Sequence, residues 1–115
     1  MPKQINMNIG IDIVEVKRIE RLIKNKRFLN RIFSEDEIKY CSNKKNSAQH
    51  YAVRFAAKEA VWKAFKNKKL AHKNISITNK KDGKPEVLIF NKLQKKILIS
   101  LSHTKQFAIA VAVVL

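Results

Sequence analysis

The chain has 115 residues, of which 45% are hydrophobic, and it carries a formal net charge of +16 at pH 7. This length allows one hydrophobic core and is too short for two, so we expect a single domain over residues 1–115. The charge comes from 25 Lys and Arg against 9 Asp and Glu, which requires either tolerance of strong self-repulsion or an anionic partner such as a nucleic acid, a membrane surface, a nucleotide or an acidic protein. Background compositional bias is an alternative explanation for many of the scattered lysines.

Cysteine usage and hydropathy restrict the compartment. The single cysteine, Cys41, has no intramolecular disulfide partner, and the sequence shows no His and Cys spacing typical of a zinc site. The N-terminus lacks the pattern of a signal peptide, and the longest apolar run, Phe107 to Leu115, is far shorter than the roughly 20 residues that span a bilayer. We therefore expect a cytoplasmic protein without membrane insertion.

The first third of the chain predicts a strand followed by two helices. Apolar and polar residues alternate from Ile5 to Ile13, which is typical of a strand with one buried face, and Asp12 lies on the polar face. From Val16 the apolar spacing becomes helical and leaves a basic, exposed side. Ser34 to Glu37 has the pattern of a capping box, so a short helix should run from there to about Cys41.

A long helix is predicted from about Ser47 to Phe65. Its alanines recur at every fourth position and form a stripe of small residues: Ala52, Ala56, Ala60 and Ala64. Its aromatic residues supply the bulk that it contributes to the core: Phe55, Trp62 and Phe65. We therefore expect this helix to pack closely on a sheet.

The remaining sequence predicts strands. Residues 75–77 mark one strand, and a turn at Asp82-Gly83 returns the chain through Val87 to Phe90 as a hairpin. Two further strands, Ile97 to Ser102 and Phe107 to Val114, flank a turn. Because the last strand is apolar at every position, both of its faces should be buried, which suggests a subunit interface.

The charged and polar candidates for a site each have an explanation that needs no ligand. Asp12 could cap the first helix together with Glu15, and Glu59 precedes Lys63 at the spacing of a surface ion pair worth about 0.2–0.5 kcal/mol. His103, at the end of a strand, could be a surface or capping group. Taken together, however, two carboxylates, a helical lysine and a strand-end histidine can bind a magnesium-pyrophosphate group, because Mg²⁺ takes only one or two protein carboxylates beside waters and phosphate oxygens.

Five motifs follow one another across nearly the whole chain. In order, they are Gly10 to Glu15 with Lys17-Arg18-Ile19, Phe33 to Glu37, Arg54 to Ala60 with Lys63-Ala64-Phe65, Asp82 to Pro85, and Ser100 to His103 before the apolar last strand. This set resembles the holo-[acyl-carrier-protein] synthases, which are small 4′-phosphopantetheinyl transferases. In residues 66–72, where that family has a glycine-containing loop, this chain has no glycine.

The resemblance implies a fold and an activity. The fold is α+β, a 4′-phosphopantetheinyl transferase domain in which a small antiparallel sheet packs against one long helix and shorter helices, assembled as a homotrimer with the active site between subunits. The activity is Mg²⁺-dependent transfer of 4′-phosphopantetheine from coenzyme A to a serine of apo-acyl carrier protein. It releases adenosine 3′,5′-bisphosphate and serves fatty acid biosynthesis.

The resemblance also implies roles for individual residues. Asp12 and Glu59 would ligate Mg²⁺, and both would be catalytic together with Lys63 and His103. The phosphates of coenzyme A would be contacted by Arg54, Lys58, Lys63 and His103. The acidic carrier protein would dock on the first helix and the segment beyond it, at Arg18, Arg21, Arg27, Phe28 and Arg31. The acceptor of the serine proton is open between a metal-bound water and a carboxylate such as Glu59.

Two other functions compete with this interpretation. The charge of +16 supports a nucleic-acid-binding module, but such a module predicts exposed aromatic residues among the basic ones, and the aromatic residues of the long helix lie at core spacing. A non-catalytic trimeric adaptor for acidic proteins would need Asp12, Glu59 and His103 to be dispensable, and nothing in the sequence favours that. We therefore expect no nucleic-acid partner.

Overall fold

The structure is a computed structural model that describes residues 6–65 and 69–115. Its helices are α1 (Val16–Leu22), α2 (Lys26–Ile32), α3 (Glu35–Ser42) and α4 (Ser47–Ala64), and a 3₁₀-helix lies at His72–Asn74. Its strands are β1 (Asn8–Glu15), β2 (Ile75–Asn79), β3 (Pro85–Ile89), β4 (Lys92–Leu93), β5 (Ile97–His103) and β6 (Phe107–Val114). Within the described residues, none of the helices combines the length and the apolar character needed to cross a membrane.

The strands form two sheets and not the single sheet that the sequence predicts. In the described part of the chain, β1, β6 and β5 make one three-stranded antiparallel sheet, in that order, and β2, β3 and β4 make a second. The long helix α4 packs on the first sheet, mainly on β1 and β6. The predicted α+β class with antiparallel strands is therefore confirmed.

The approach of α4 to β1 depends on small residues. The four alanines of the predicted stripe are all buried, and they face the buried alanines of β6: Ala108, Ala110 and Ala112. A Cβ on Gly10 would collide with the carbonyl oxygen of Ala60 and would lie 2.9 Å from the backbone nitrogen of Ala64. The helix can lie this near the strand because neither surface carries a large side chain.

β1 buries the face opposite to the one that its isoleucines predict. Gly10 and Val14 are buried, whereas three isoleucines are 70%, 60% and 60% exposed: Ile9, Ile11 and Ile13. Successive side chains of a strand point to opposite faces, so a strand that turns its glycine toward a helix must turn the neighbouring isoleucines away. The predicted buried face of this strand is therefore wrong for the single chain.

An apolar face of the first sheet is consequently exposed. On β6, Phe107 and Ile109 are 39% and 38% exposed, opposite to the alanines that α4 covers. Because β1 pairs with β6, the exposed isoleucines of β1 lie on the same face. The prediction that both faces of the last strand are buried is thus not met within one chain. We call this surface the isoleucine face: Ile9, Ile11, Ile13, Phe107 and Ile109.

Two boundaries differ from the sequence prediction. The predicted first strand begins at Ile5, which lies outside the described residues, whereas β1 begins at Asn8. Helix α2 was not predicted, because its seven residues are too few to show a clear period. Asn25 caps it by accepting hydrogen bonds from the backbone N–H groups of Arg27 and Phe28, at 2.9 and 3.4 Å.

A buried ion pair joins α3, α4 and β2. The side chains of Lys58 and Glu37 are fully buried and in direct contact. Lys58 Nζ also donates to the carbonyl oxygen of Ile75, and Glu37 Oε2 accepts from the backbone N–H of Ile77 at 3.0 Å. Glu37 also completes the predicted capping box with Ser34, which is confirmed. Because both charges have several partners, the pair can hold these elements together despite its desolvation.

Gly10→Ala should destabilise the protein by about 3 kcal/mol, since the added methyl group forces β1 and α4 apart. Urea unfolding followed by circular dichroism measures this change. Gly83→Ala is the matched control: its φ of +88° imposes strain of about 1 kcal/mol, but in the described part of the chain no atom beyond its two sequence neighbours lies within 4 Å of the added Cβ. Equal losses for the two variants would contradict the close packing of α4 on β1.

Candidate active site

Asp12 belongs to a charged cluster at the C-terminal end of α4. Lys63 Nζ donates hydrogen bonds to Asp12 Oδ1 and to the carbonyl oxygen of Ile11, both at 3.1 Å. The contact is possible because Gly10, two residues before Asp12, lets β1 pass close beneath the last turns of α4. The capping alternative for Asp12 is wrong, since the residue at the N-cap of α1 is Glu15.

Glu59, one turn before Lys63, is the second carboxylate of this cluster. Its Oε1 lies 3.0 Å from His72 Nε2, a polar contact in which the ring N–H is not aligned with the carboxylate oxygen. The adjacent imidazole is the main cause that lowers the pKa of Glu59; burial opposes it, and the charges of Lys63 and Arg18 reinforce it. Glu59 is therefore ionised at neutral pH.

The surface-pair alternative for Glu59 and Lys63 does not describe their contacts. Lys63 Nζ contacts Asp12, and Glu59 Oε1 lies 3.0 Å from His72 Nε2. Lys63 still acts on both acids, because it binds one and its charge lowers the pKa of the other. We call this group the carboxylate cluster: Asp12, Glu59 and Lys63.

The carboxylate cluster fits a Mg²⁺ ion that is bound together with a phosphate. Among residues 6–65 and 69–115, no three His, Cys, Asp or Glu side chains are placed to hold a metal ion by themselves. Zinc and calcium sites usually draw at least three ligands from the protein, whereas Mg²⁺ commonly takes one or two carboxylates and completes its octahedron with waters and phosphate oxygens. The carboxylates of Asp12 and Glu59 are of the ligand type and number that such a Mg²⁺ site takes from the protein.

A second group of cations lies toward the N-terminal end of α4, around the ring of Tyr40. The Arg54 guanidinium carbon and Lys44 Nζ lie 4.3 and 4.5 Å from the ring centroid, and the His50 ring packs edge-on at 5.9 Å. Burial lowers the pKa of His50, and the charges of Arg54, Lys44 and His103 lower it further. His103 is thus a neighbour of His50. We call this group the basic cluster: Lys44, His50, Arg54 and His103.

Arg54 is the buried member of the basic cluster. It is 5% exposed, its Nη1 donates a long hydrogen bond of 3.4 Å to the carbonyl oxygen of His50, and its Nε has no hydrogen-bond partner among the described residues. A buried guanidinium N–H without an acceptor is costly, and a phosphate oxygen would satisfy it. The basic cluster therefore suits an anionic group such as a phosphate.

The four predicted catalytic residues do not meet within one chain. Lys63 binds Asp12 and its charge acts on Glu59, whereas the charge of His103 acts on His50. At the helical rise per residue, about 13 Å of α4 separates His50 from Glu59. Within one chain, His103 can therefore share a ligand with Arg54 and not directly with the carboxylate cluster.

Two predicted binding residues are contradicted by their burial. Lys58, expected to contact a phosphate, is fully buried and donates hydrogen bonds to Glu37 and to the carbonyl oxygen of Ile75. Burial lowers the pKa of Lys58, and the adjacent Glu37 opposes that change. Phe28, expected to contact the carrier protein, is 9% exposed, and its ring lies 6.1–6.2 Å from those of two neighbours, Phe33 and Phe55. Both residues belong to the core.

The four arginines of the expected docking surface are exposed: Arg18 and Arg21 on α1, and Arg27 and Arg31 on α2. Arg18 also contributes to the lowered pKa of Glu59, so its charge lies near the carboxylate cluster. A partner that contacted α1 would therefore come close to this cluster.

Several cluster members were not identified from the sequence: Tyr40, Lys44, His50 and His72. His50 lies one helical turn before Arg54, and that spacing was an available indication of a shared face. The other three come together with their partners only through contacts between different elements or across a turn. Periodicity could not have found them.

Comparison with known proteins identifies the family. The family model described as the 4′-phosphopantetheinyl transferase superfamily matches residues 8–112. The holo-[acyl-carrier-protein] synthase of Thermodesulfovibrio yellowstonii is 48% identical over 111 residues, which cover 92% of this chain and 96% of that protein.

Solved structures resemble the fold over the same range. The holo-(acyl-carrier-protein) synthase of Bacillus anthracis, in complex with CoA (3′,5′-ADP), has a TM-score of 0.80 and 34% identity, covering 93% of this chain and 94% of that one. The Helicobacter pylori synthase in complex with coenzyme A has a TM-score of 0.77 and 36% identity, with coverages of 93% and 99%. The chain therefore belongs to the holo-[acyl-carrier-protein] synthases of the 4′-phosphopantetheinyl transferase superfamily and is a phosphopantetheinyl transferase.

Proposed function

We propose that this enzyme transfers 4′-phosphopantetheine from coenzyme A to a serine of apo-acyl carrier protein, in a Mg²⁺-dependent reaction that serves fatty acid biosynthesis in the cytoplasm. The observation that carries the proposal is the carboxylate cluster, in which Lys63 is bound to Asp12 and acts on Glu59. The names of the relatives and the coenzyme A complexes of two of them support the donor and the acceptor.

The reaction is an attack of the serine oxygen on the phosphorus that bears the pantetheine. The bond from this phosphorus to the bridging oxygen breaks, adenosine 3′,5′-bisphosphate leaves with the electron pair, and the serine proton passes to a water or to a carboxylate such as Glu59. Asp12 and Glu59 would hold Mg²⁺, which neutralises pyrophosphate charge when it is bound. Lys63 Nζ has a third N–H beyond its two hydrogen bonds and would donate it to a phosphate oxygen. Positioning and charge neutralisation would supply most of the acceleration.

We also propose that a second copy of the chain completes the site, in a homotrimer. The isoleucine face is an apolar surface of a kind that monomers rarely expose, and packing it against another copy would remove it from water. Within one chain the two clusters lie too far apart along α4 to share one small group. A neighbouring copy would bring its basic cluster to this copy's carboxylate cluster, so that coenzyme A contacts both.

The acidic carrier protein would dock on the exposed arginines of α1 and α2. The whole chain carries a net charge of +16, so its association with an acidic partner is favoured electrostatically. The rate of association should therefore depend on salt. The closeness of Arg18 to Glu59 supports this placement, because the carrier's serine must reach the carboxylate cluster.

Incubation with apo-acyl carrier protein, coenzyme A and Mg²⁺ should add the phosphopantetheine mass to the carrier, and a chelator should prevent it.

Glu59→Gln should lower kcat/KM at least about a hundredfold because it removes a charge that faces the reacting phosphates, with little change in Tm. Mass spectrometry measures transfer, and Glu35→Gln, on the exposed first turn of α3, is the control. Near-normal transfer by Glu59→Gln at moderate Mg²⁺ would exclude Glu59 from the site.

Co-expression of Asp12→Asn and His103→Ala chains tests the shared site. Each variant alone should be almost inactive. In randomly mixed homotrimers, about a quarter of the interfaces would pair an intact Asp12 with an intact His103, so transfer should return to about that fraction of the wild-type rate. No recovery in mixed assemblies would contradict a site that His103 completes from a neighbouring copy.

Arg18→Glu should raise the KM for the carrier protein about tenfold at low salt, with a smaller effect at high salt, because it reverses a charge on the docking surface. The KM for coenzyme A should stay near that of the wild type. Lys92→Glu, on exposed β4, makes the same change of net charge away from α1 and should leave both constants unaltered. An unchanged carrier KM for Arg18→Glu would place docking elsewhere.

A further inference from the structure

His72 contacts the carboxylate cluster, although it lies outside every motif of the family resemblance. Its Nε2 is 3.0 Å from Glu59 Oε1 and is shielded from solvent. Its ring packs on Trp62, with centroids 5.7 Å apart and planes inclined by 30°. The position and the plane of the imidazole are thus both constrained.

The backbone around His72 is anchored on both sides. Leu70 and Ile75 are buried, so the short 3₁₀-helix between them has little freedom to move away from α4. Lys58, the residue directly before Glu59, donates to the carbonyl oxygen of Ile75. The turn of α4 that presents Glu59 therefore also fixes the segment that carries His72, and their contact is built into the fold.

We propose that His72 is a positioning residue for Glu59, which holds Oε1 so that Oε2 remains available to Mg²⁺. The inference rests on the proposed function, in which Glu59 is a metal ligand. Carboxylates that bind metals usually have hydrogen-bonded outer partners, and loss of such a partner typically lowers metal affinity about 10–100-fold. A small rotation of the Glu59 carboxylate would align Oε1 with the ring N–H.

Histidine suits this role better than the neighbouring cations. Lys63 is occupied by Asp12 and the carbonyl oxygen of Ile11. The imidazole of His72 carries an N–H donor on a rigid ring, so it can donate to Oε1 from a fixed position. His72 would thereby orient the carboxylate, and the third N–H of Lys63 would be left for a phosphate oxygen.

The test measures Mn²⁺ binding to the whole protein by electron paramagnetic resonance, with coenzyme A present and carrier protein absent, so that no turnover takes place. His72→Phe keeps a ring against Trp62 but lacks the N–H, and His72→Gln keeps an N–H donor but lacks the ring. We expect the Mn²⁺ Kd to rise about tenfold or more in His72→Phe and to stay within about threefold of wild type in His72→Gln.

The transfer assay supplies a second readout. In His72→Phe, the Mg²⁺ concentration that gives half-maximal rate should rise in parallel with the Mn²⁺ Kd, while kcat at saturating Mg²⁺ stays within about twofold. Tm measurements should show both variants folded, since the substitution replaces a half-buried side chain without touching the buried anchors of its segment.

Unchanged Mn²⁺ affinity in His72→Phe would overturn the positioning role. Equal losses in His72→Phe and His72→Gln would overturn it as well, because the N–H would then be irrelevant. Glu59→Gln separates this failure from failure of the proposed function: if wild type and Glu59→Gln bind Mn²⁺ equally, Glu59 is not a ligand and both proposals fall. If only Glu59→Gln loses Mn²⁺, the metal site stands and the role of His72 is refuted.

Discussion

The contact of Gly10 with the backbone of α4 is the constraint on which the rest of the molecule depends. It lets β1 pass directly under Ala60 and Ala64, and two residues later it delivers Asp12 to Lys63. The same contact decides which side of the strand meets water, because the isoleucines must point away from the face that the glycine presents. One steric requirement thus positions the carboxylate cluster and exposes the isoleucine face together.

The elements of the fold that depend on residues close together in sequence were predictable. The capping box at Ser34 and the helical period of α4 depend on residues within a few positions of each other in sequence, and both elements are confirmed. The face of β1 was not predictable from alternation, because that rule assumes that apolar side chains point inward. Here the close approach of a helix overrides it. The second sheet and the short helix α2 lack any pattern long enough to identify them.

The site was predictable only as a set of residues and not as an arrangement. Lys63 contacts Asp12 and its charge acts on Glu59, but the charge of His103 acts on His50 in the same chain. Spacing along the sequence does not show which charged side chains of α4 are buried and which are exposed. It also gives no indication that His72 lies beside Glu59. That information resides in contacts between elements, which spacing along one element does not contain.

Lys58 and Glu59 are consecutive, yet α4 turns them about 100° apart, so that one enters the core and the other faces the carboxylate cluster. A mutational screen scored by growth or product would rank both as essential and would attribute both to chemistry. Loss of activity on substitution of Lys58 would reflect fewer folded molecules, since Glu37 would remain buried without its ion-pair partner. Loss of activity on substitution of Glu59 would reflect folded molecules that fail to react. Along α4, positions where substitution prevents folding therefore alternate, with the period of the helix, with positions where it prevents the reaction. The two effects are separated only when the amount of folded protein is measured together with its turnover rate.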